Sequence, residues 1–164
     1  MIYKNPNYSV KERAQDLLSR MTLEEKMEQM HVMTNVSYCH DICCDITSVY
    51  KDIKAGKEPK RFWGAIFNLN NSQQKVLKTI QKYAIEKTRL GIPVLVIGEA
   101  LHGIIYQDCT RFPQNIAIGC SFNVPLMEQM AKVIGREAYG SGFRQVFAPN
   151  VDVIRELRWG RVQE

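Results

Sequence analysis

The chain has 164 residues, of which 45% are hydrophobic and 24% charged, so it can bury one ordinary core but not two. Twenty-two Lys and Arg against 17 Asp and Glu give a net charge of +5, too small an excess to indicate nucleic-acid binding by itself. No apolar run approaches the roughly 18 residues of a membrane span, and the N-terminus lacks the apolar segment of a signal peptide. A cytoplasmic protein without a membrane partner is therefore expected.

The five cysteines are odd in number and irregularly spaced, which is not typical of a secreted disulfide scaffold. The cluster Cys39-His40-Asp41-Ile42-Cys43-Cys44 contains the residue types that bind zinc. It lacks the second Cys/His pair, about 12 to 20 residues further on, that would complete a tetrahedral site. We therefore expect free thiols, no metal and no cofactor.

Two capping boxes predict helices near the N-terminus. Ser9 is followed by Glu12, and Thr22 by Glu25, so each hydroxyl can accept the backbone N–H three residues on while the carboxylate bonds back to the cap. Apolar residues then recur at helical spacing after each cap. We expect residues 1–33 to form a helical arm and residues 34–62, which show no clear period, to be loop-rich with room for a short helix.

Residues 63–164 alternate short apolar runs with amphipathic stretches. Strands are predicted at 64–69, 93–98 and 145–148, with helices in the intervals and a long loop over 99–121. The order strand-helix-strand-helix-strand implies parallel pairing through right-handed crossovers, which is the α/β class. Because a closed barrel needs eight strands in about 250 residues, about three βα units are expected to be only part of one.

Functional residues in α/β proteins follow the carboxyl ends of the strands. Glu99 and His102 follow the most apolar strand, where a carboxylate can bind sugar hydroxyls or a metal, or act as an acid or base. A di-iron site is disfavoured because the Glu-x-x-His motifs of such sites lie on the helices of a bundle, whereas Glu99 and His102 follow a predicted strand. The alternative is a glutamate bonded to nearby backbone with a packed histidine beneath it.

The second candidate segment runs from Pro149 to Arg161 and follows the last predicted strand. It concentrates Asp152, Arg158 and other charged residues near Trp159. Guanidinium and carboxylate groups at fixed positions can recognise the hydroxyls of a carbohydrate. The alternative is an ion-paired loop with Trp159 as its hydrophobic plug.

A series of short motifs runs through nearly the whole chain in a fixed order. They are Met21-Thr22-Leu23-Glu24-Glu25-Lys26, Ile92-Pro93-Val94, Glu99-Ala100-Leu101-His102-Gly103, Phe112-Pro113-Gln114, Gly135-Arg136-Glu137-Ala138, Val146-Phe147-Ala148-Pro149 with Val151-Asp152-Val153, and Arg158-Trp159-Gly160-Arg161 with Glu164. This series resembles the N-terminal domain of family 3 glycoside hydrolases. The resemblance implies a (β/α)8 barrel of the TIM type, normally followed by an α/β sandwich, and metal-free retaining hydrolysis of β-glucosides or β-xylosides.

The resemblance also implies roles for particular residues. Glu99 matches the acidic position that accepts hydrogen bonds from sugar hydroxyls, and Arg161 matches an arginine that contacts the glycone. Glu164 belongs to the same element as Arg161 and is expected to support it. The other positions expected to be supporting are His102, Asp152, Arg158 and Trp159. The family's nucleophilic Asp, its acid/base and a sugar-binding Lys-His pair come later, so no catalytic residue is expected in this chain, and the chain alone is expected to be inactive.

The chain departs from the family pattern at two places. Arg155-Glu156-Leu157-Arg158 stands where the family commonly has Arg-Asp-Pro-Arg, which removes the rigidity of a proline. Glu99 is one methylene longer than the alternative Asp. The longer side chain leads to the hypothesis that it crowds a hexose hydroxymethyl group and favours pentosides.

Three classes of function remain as hypotheses. The leading one is the N-terminal fragment of a retaining β-glycosidase acting on terminal β-D-glucosides, with β-xylosides as the alternative substrate. A non-catalytic sugar-binding or assembly fragment would instead pair its strand edges with another copy or with the rest of the barrel. Nucleic-acid binding is disfavoured. Few aromatic residues, only Phe62 and Trp63, accompany the basic cluster, which is more typical of a solvated surface. The cluster consists of Lys51, Lys54, Lys57, Lys60 and Arg61.

Overall fold

The computed structural model describes residues 1–34, 45–67, 74–106 and 108–162. Within them lie strands β1 (Val32–Thr34), β2 (Ala65–Phe67), β3 (Leu95–Glu99) and β4 (Gln145–Phe147), and helices α1 (Val10–Arg20), α2 (Leu23–Gln29), α3 (Ile46–Lys54), α4 (Gln74–Lys87), α5 (Asn115–Gly119) and α6 (Val124–Gly140). A 3-10 turn spans Ile2–Lys4. The predicted α/β class is confirmed.

The four strands form one sheet in the order β1-β2-β3-β4. Strands β3 and β4 pair in parallel, with Ile97 opposite Gln145 and Glu99 opposite Phe147. Helix α6 crosses from one to the other, as the alternation of apolar and amphipathic segments predicts. Strand β1 was not predicted, because three residues are too few to show a period of two.

The described residues divide into two compact units, one made of residues 1–34, 45–65 and 79–94 and the other of residues 66–67, 74–78, 95–106 and 108–162. Buried apolar residues occur in both units. In the first unit these include Met33, Ile46, Val49, Ile80, Ala84 and Leu90. In the second they include Ile66, Leu77, Val96, Ile97, Ile104, Tyr106, Ile118 and Phe143.

Both predicted capping boxes are present. Ser9 Oγ accepts from the Glu12 backbone N–H while the Glu12 carboxylate accepts from Ser9, and Thr22 and Glu25 form the same reciprocal pair. Most apolar residues of these two helices are nevertheless exposed: Val10, for example, is 80% exposed, Leu17 is half-buried, and neither α1 nor α2 has a fully buried residue. Local side-chain bonds therefore contribute more to these helices than apolar burial does.

Ser9→Ala should lower the free energy of unfolding by about 1 kcal/mol, because it leaves the Glu12 backbone N–H without its acceptor. Urea denaturation followed by circular dichroism measures the change. Ser19→Ala is the matched control on the same helix, since the Ser19 hydroxyl only donates to the Asp16 carbonyl. An equal loss in both variants would contradict the capping role.

Helix α3 lies in the stretch predicted to be loop-rich. Its first turn is capped by Asp45, whose carboxylate accepts from Thr47 N at 3.1 Å and Ser48 N at 3.0 Å. Only Ile46 and Val49 are buried along its nine residues, too few to show a helical period in the sequence. The predicted strand over 64–69 is observed over 65–67, with Gly64 just before it; residues 68 and 69 and the cluster Cys39–Cys44 lie outside the described residues.

The predicted helices and strands of the second half are confirmed with small shifts. Asn123 caps α6 by accepting from Leu126 N at 3.0 Å, and the helix ends at Gly140 as predicted. The short helix α5 lies inside the predicted long loop over 99–121. Among the described helices, none is long and apolar enough to cross a membrane.

Candidate functional site

Glu99 is the last residue of β3 and is half-buried. Its register partner across the sheet is Phe147, the last residue of β4. Because the two strands are parallel, their carboxyl ends lie at one edge of the sheet. The two candidate segments, 99–103 and 149–161, therefore leave the sheet from neighbouring strands.

The strand behind Glu99 is packed closely. Gly98 is buried against the ring of Phe143, and a Cβ atom added at Gly98 would lie 2.3 Å from Phe143 Cε1. The Phe143 ring in turn lies 5.4 Å from the Tyr106 ring. Burial raises the pKa of the Tyr106 hydroxyl. This packing fixes the backbone from which the Glu99 side chain extends.

The loop that follows Glu99 is held by a reciprocal contact between His102 and Phe112. The Phe112 backbone N–H donates to the His102 carbonyl at 2.9 Å, and His102 Nδ1 lies 3.1 Å from the Phe112 carbonyl oxygen. The tautomer with a proton on Nδ1 donates this second bond. Between them, Gly103 adopts a φ of +119° and packs against the Thr110 carbonyl. A supporting role for His102 remains a prediction that this geometry suits.

Glu137 is a residue to which the sequence assigned no role. Its carboxylate accepts from Thr110 N at 2.9 Å and from Thr110 Oγ1 at 2.7 Å, which attaches the loop after β3 to α6. Cys109 Sγ lies 3.9 Å from Ser141 Oγ just beyond the helix end. The sequence motif Gly135-Arg136-Glu137-Ala138 includes this glutamate. Its hydrogen-bond partner, Thr110, lies 27 residues away, so the spacing of residues does not predict the contact.

Glu137→Ala should loosen this loop without unfolding the chain. Removing both bonds is expected to cost about 1 kcal/mol, because the groups are partly solvated. Hydrogen exchange at the Thr110 amide should accelerate. Glu128→Ala on the same helix, whose carboxylate pairs only with exposed Lys132, is the control and should leave that amide unchanged.

The second segment begins after a cis peptide bond between Ala148 and Pro149 and contains an ion pair between Arg158 and Glu156. Arg158 Nε and Nη2 donate to the two Glu156 carboxylate oxygens at 2.8 and 2.7 Å, and the Arg158 backbone N–H donates at 3.0 Å. These hydrogen bonds, the side-chain ones first, lower the pKa of Glu156 to about 2. Trp159 is 39% exposed, so it is not the buried plug of the alternative interpretation.

The Glu156 carboxyl should titrate near pH 2 in the folded chain, against about 4.3 when unfolded. Because the folded pKa is the lower one, the pair stabilises the fold above about pH 4.3, and this contribution is lost as the pH falls through 2. Carboxyl carbon NMR measures the midpoint. Arg158→Gln should return it towards the unfolded value, while Arg155→Gln should not, and a midpoint near 4.3 in the unmodified chain would contradict the pairing.

The remaining predicted residues lie on the same segment. Asp152 and Arg161 are both exposed, and Glu164 lies outside the described residues. Glu99 and the segment bearing Asp152, Arg158, Trp159 and Arg161 belong to one unit, and the segment leaves β4 at the edge of the sheet where Glu99 ends β3. The sugar-binding roles assigned to Glu99 and Arg161 stay predictions.

Comparison with known proteins identifies relatives of the chain. The chain is 31% identical to beta-glucosidase C of Emericella nidulans, over 98% of this chain and 27% of that protein. It is 39% identical to beta-D-xylosidase 3 of Arabidopsis thaliana, over 49% of this chain and 13% of the relative. The solved structure of a beta-glucosidase from Listeria innocua in complex with glucose superposes with a TM-score of 0.70 at 29% identity, covering 95% of this chain and 21% of that one.

The chain therefore spans about a quarter or less of the length of these relatives. Residues 22–164 match the family described as "Glycosyl hydrolase family 3 N terminal domain". With the parallel sheet and the order of its motifs, this match leads to one conclusion: the chain belongs to glycosyl hydrolase family 3 and represents part of its N-terminal barrel domain.

Proposed function

We propose that this chain supplies the first βα units of a retaining β-glycosidase and part of its glycone-binding site, with terminal β-D-glucosides as substrate. The observation that supports the proposal is the position of Glu99 at the carboxyl end of β3, next to the end of β4 from which the segment that carries Arg161 starts. Sites of α/β barrels are built at this edge. The glucose complex of the Listeria innocua β-glucosidase supports a saccharide ligand.

In the proposed site the two residues have complementary roles. The Glu99 carboxylate accepts hydrogen bonds from sugar hydroxyls, and the Arg161 guanidinium donates hydrogen bonds to sugar oxygens. His102 supports the first loop through Phe112, and Asp152 and Glu164 support the second segment. Together these groups recognise a neutral sugar by the positions of its hydroxyl groups around the ring.

Retaining hydrolysis requires two carboxylates about 5 Å apart, one as nucleophile and one as acid/base. We assign neither role to a residue of this chain, so we expect it to bind sugar without cleaving a glycoside. A 4-nitrophenyl β-glucoside assay on the purified chain tests this. Turnover abolished by Glu99→Gln or by Arg161→Gln would contradict the expectation, whereas turnover that survives both substitutions comes from a contaminant.

Sugar binding itself can be measured through Trp159, which lies two residues from Arg161. In a Trp63→Phe background, Trp159 is the remaining tryptophan of the chain, and its fluorescence should change on titration with glucose. Glu99→Gln and Arg161→Gln should each weaken binding at least tenfold. Arg155→Gln is the matched control in the same segment. Equal affinity in all four proteins would contradict the proposed site.

A xyloside is the second candidate substrate. The xylosidase relative from Arabidopsis thaliana and the length of the Glu99 side chain both favour it. If Glu99 crowds a hydroxymethyl group, xylose should bind more tightly than glucose, and Glu99→Asp should reduce that preference. A strong glucose preference in the unmodified chain would instead favour the glucoside.

A further inference from the structure

A cleft of about 680 Å³ lies between α3 and α4, lined wholly by residues of the first unit. Its charged residues are Lys54, Lys57, Lys82 and Lys87, with Glu58 and Glu86, and we call it the lysine cleft. The volume falls within the roughly 300–1,000 Å³ of ordinary ligand sites. None of these residues belongs to the candidate sugar site.

The lysine cleft lies in the stretch of sequence that carries the chain's excess of positive charge. Ten of the 22 Lys and Arg residues, but four of the 17 Asp and Glu residues, lie between positions 45 and 94. This stretch therefore has a net charge of +6, whereas the rest of the chain has −1. The part of this stretch that belongs to the first unit has eight basic and four acidic residues, a net charge of +4, which should act on partners near the cleft.

The fold holds the lysines of α3 in place. Helix α3 ends in a turn where Gly56 has a φ of +71°, Gly56 N donates to Ile53 O at 3.1 Å, and Lys57 N donates to Asp52 O at 2.9 Å. This pair of bonds is the Schellman motif, which fixes the chain direction after a helix. The backbone of Lys57 is therefore fixed relative to that of Lys54, and both residues line the cleft.

On α4, Lys82 and Glu86 are four residues apart and share a helix face, and Lys87, next to Glu86 in the chain, also lines the cleft. All four ammonium groups are exposed. In the described part of the chain, no ion pair uses Lys57, Lys82 or Lys87, and Lys54 makes a cation–π contact with Tyr50 at 5.8 Å. These charges are available to an anionic partner.

The composition of the lysine cleft distinguishes between polyanions. A nucleic-acid strand needs stacking platforms, yet the aromatic ring lining the cleft, Tyr83, already packs against Phe62 at 5.3 Å. No arginine lines the cleft to bind phosphate in a bidentate manner. Glu58 and Glu86 would repel a closely spaced row of phosphates but can accept hydrogen bonds from hydroxyl groups.

We propose that the lysine cleft binds an acidic polysaccharide. Such a polymer carries carboxylates for the four ammonium groups and hydroxyls for the two glutamates. The attraction is between exposed charges, so it weakens as salt rises. This inference does not rest on the proposed function, because the cleft shares no residue with the candidate sugar site.

The test is binding of the 164-residue chain to immobilised polygalacturonate, a polymer of a uronic acid, at fixed ionic strength. The variant Lys54→Gln/Lys57→Gln/Lys82→Gln/Lys87→Gln should lose affinity at least tenfold. A second variant, Lys11→Gln/Arg111→Gln/Lys132→Gln/Arg136→Gln, changes the net charge by the same amount at exposed positions elsewhere. It should retain the affinity within twofold, and thermal melting should show that both variants fold.

Three outcomes would overturn the inference. Equal losses in the two variants would show that net charge alone drives binding. Tighter binding to double-stranded DNA than to polygalacturonate at the same salt concentration would indicate a nucleic-acid surface. Absence of binding to polygalacturonate by the unmodified chain would leave the cleft as a solvated face. If both proposals hold, the four-lysine variant should show the same change in Trp159 fluorescence on titration with glucose as the unmodified chain. Failure of the polysaccharide proposal can therefore be distinguished from failure of the proposed sugar site.

Discussion

We expect Gly98→Ala to lower the free energy of unfolding by about 1–3 kcal/mol. The added Cβ atom would lie 2.3 Å from Phe143 Cε1 and 2.7 Å from Cδ1, distances that real Cβ atoms do not show. Phe143 is buried and packs on Tyr106, so its ring cannot move away without disturbing that contact. Because Gly98 precedes Glu99, the displaced strand should also weaken sugar binding.

The cause can be isolated with two further variants, measured by urea denaturation. Gly98→Ala combined with Phe143→Leu should lose less than the sum of the two single changes, because the smaller side chain removes the clash. Gly135→Ala is the control: no atom lies within 4 Å of its added Cβ, and alanine in a helix should stabilise by about 0.5–1 kcal/mol. Strict additivity of Gly98→Ala and Phe143→Leu would refute the clash.

The second large effect is expected from Gly103→Ala, which should cost at least about 2 kcal/mol. Its φ of +119° is disfavoured for any residue with a Cβ atom, and that atom would lie 2.2 Å from the Thr110 carbonyl oxygen. Both atoms that collide belong to the backbone or to Cβ, so no change of side chain elsewhere can relieve the clash. The loop must move, which should break the His102–Phe112 contact.

Hydrogen exchange at the Phe112 amide reports on this movement, since that N–H donates to the His102 carbonyl. It should accelerate strongly in Gly103→Ala. Gly56→Ala shows the cost of a positive φ without a steric clash. Gly56 has a φ of +71°, but no atom lies within 4 Å of its added Cβ. It should cost about 1–2 kcal/mol and leave the Phe112 amide protected. Similar exchange rates in the two variants would exclude the collision as the cause.

Features set by neighbours in sequence could be predicted from the sequence. The capping boxes at Ser9 and Thr22 depend on residues three positions apart, and β3 follows from a continuous apolar run. The resemblance to family 3, rather than any periodicity, assigned a role to Glu99. Residues 22–164 match that family, so the assignment of the chain to it is confirmed.

Features that depend on contacts distant in sequence could not be predicted. The exposure of Val10 depends on what the helix packs against, which a helical period does not specify. The bond between Thr110 and Glu137 and the packing of Phe143 on Gly98 join residues that only the fold brings together. These contacts hold the loop after β3 in position, so sequence analysis found the sugar-binding candidates but not the residues that orient them.

A crystal structure of the chain with glucose or xylose bound would test the central proposal most directly. The account predicts one sugar at the carboxyl edge of β3 and β4, with its oxygens within about 3 Å of both the Glu99 carboxylate and the Arg161 guanidinium. A sugar bound away from this edge, or Glu99 and Arg161 on opposite faces of the sheet, would contradict it.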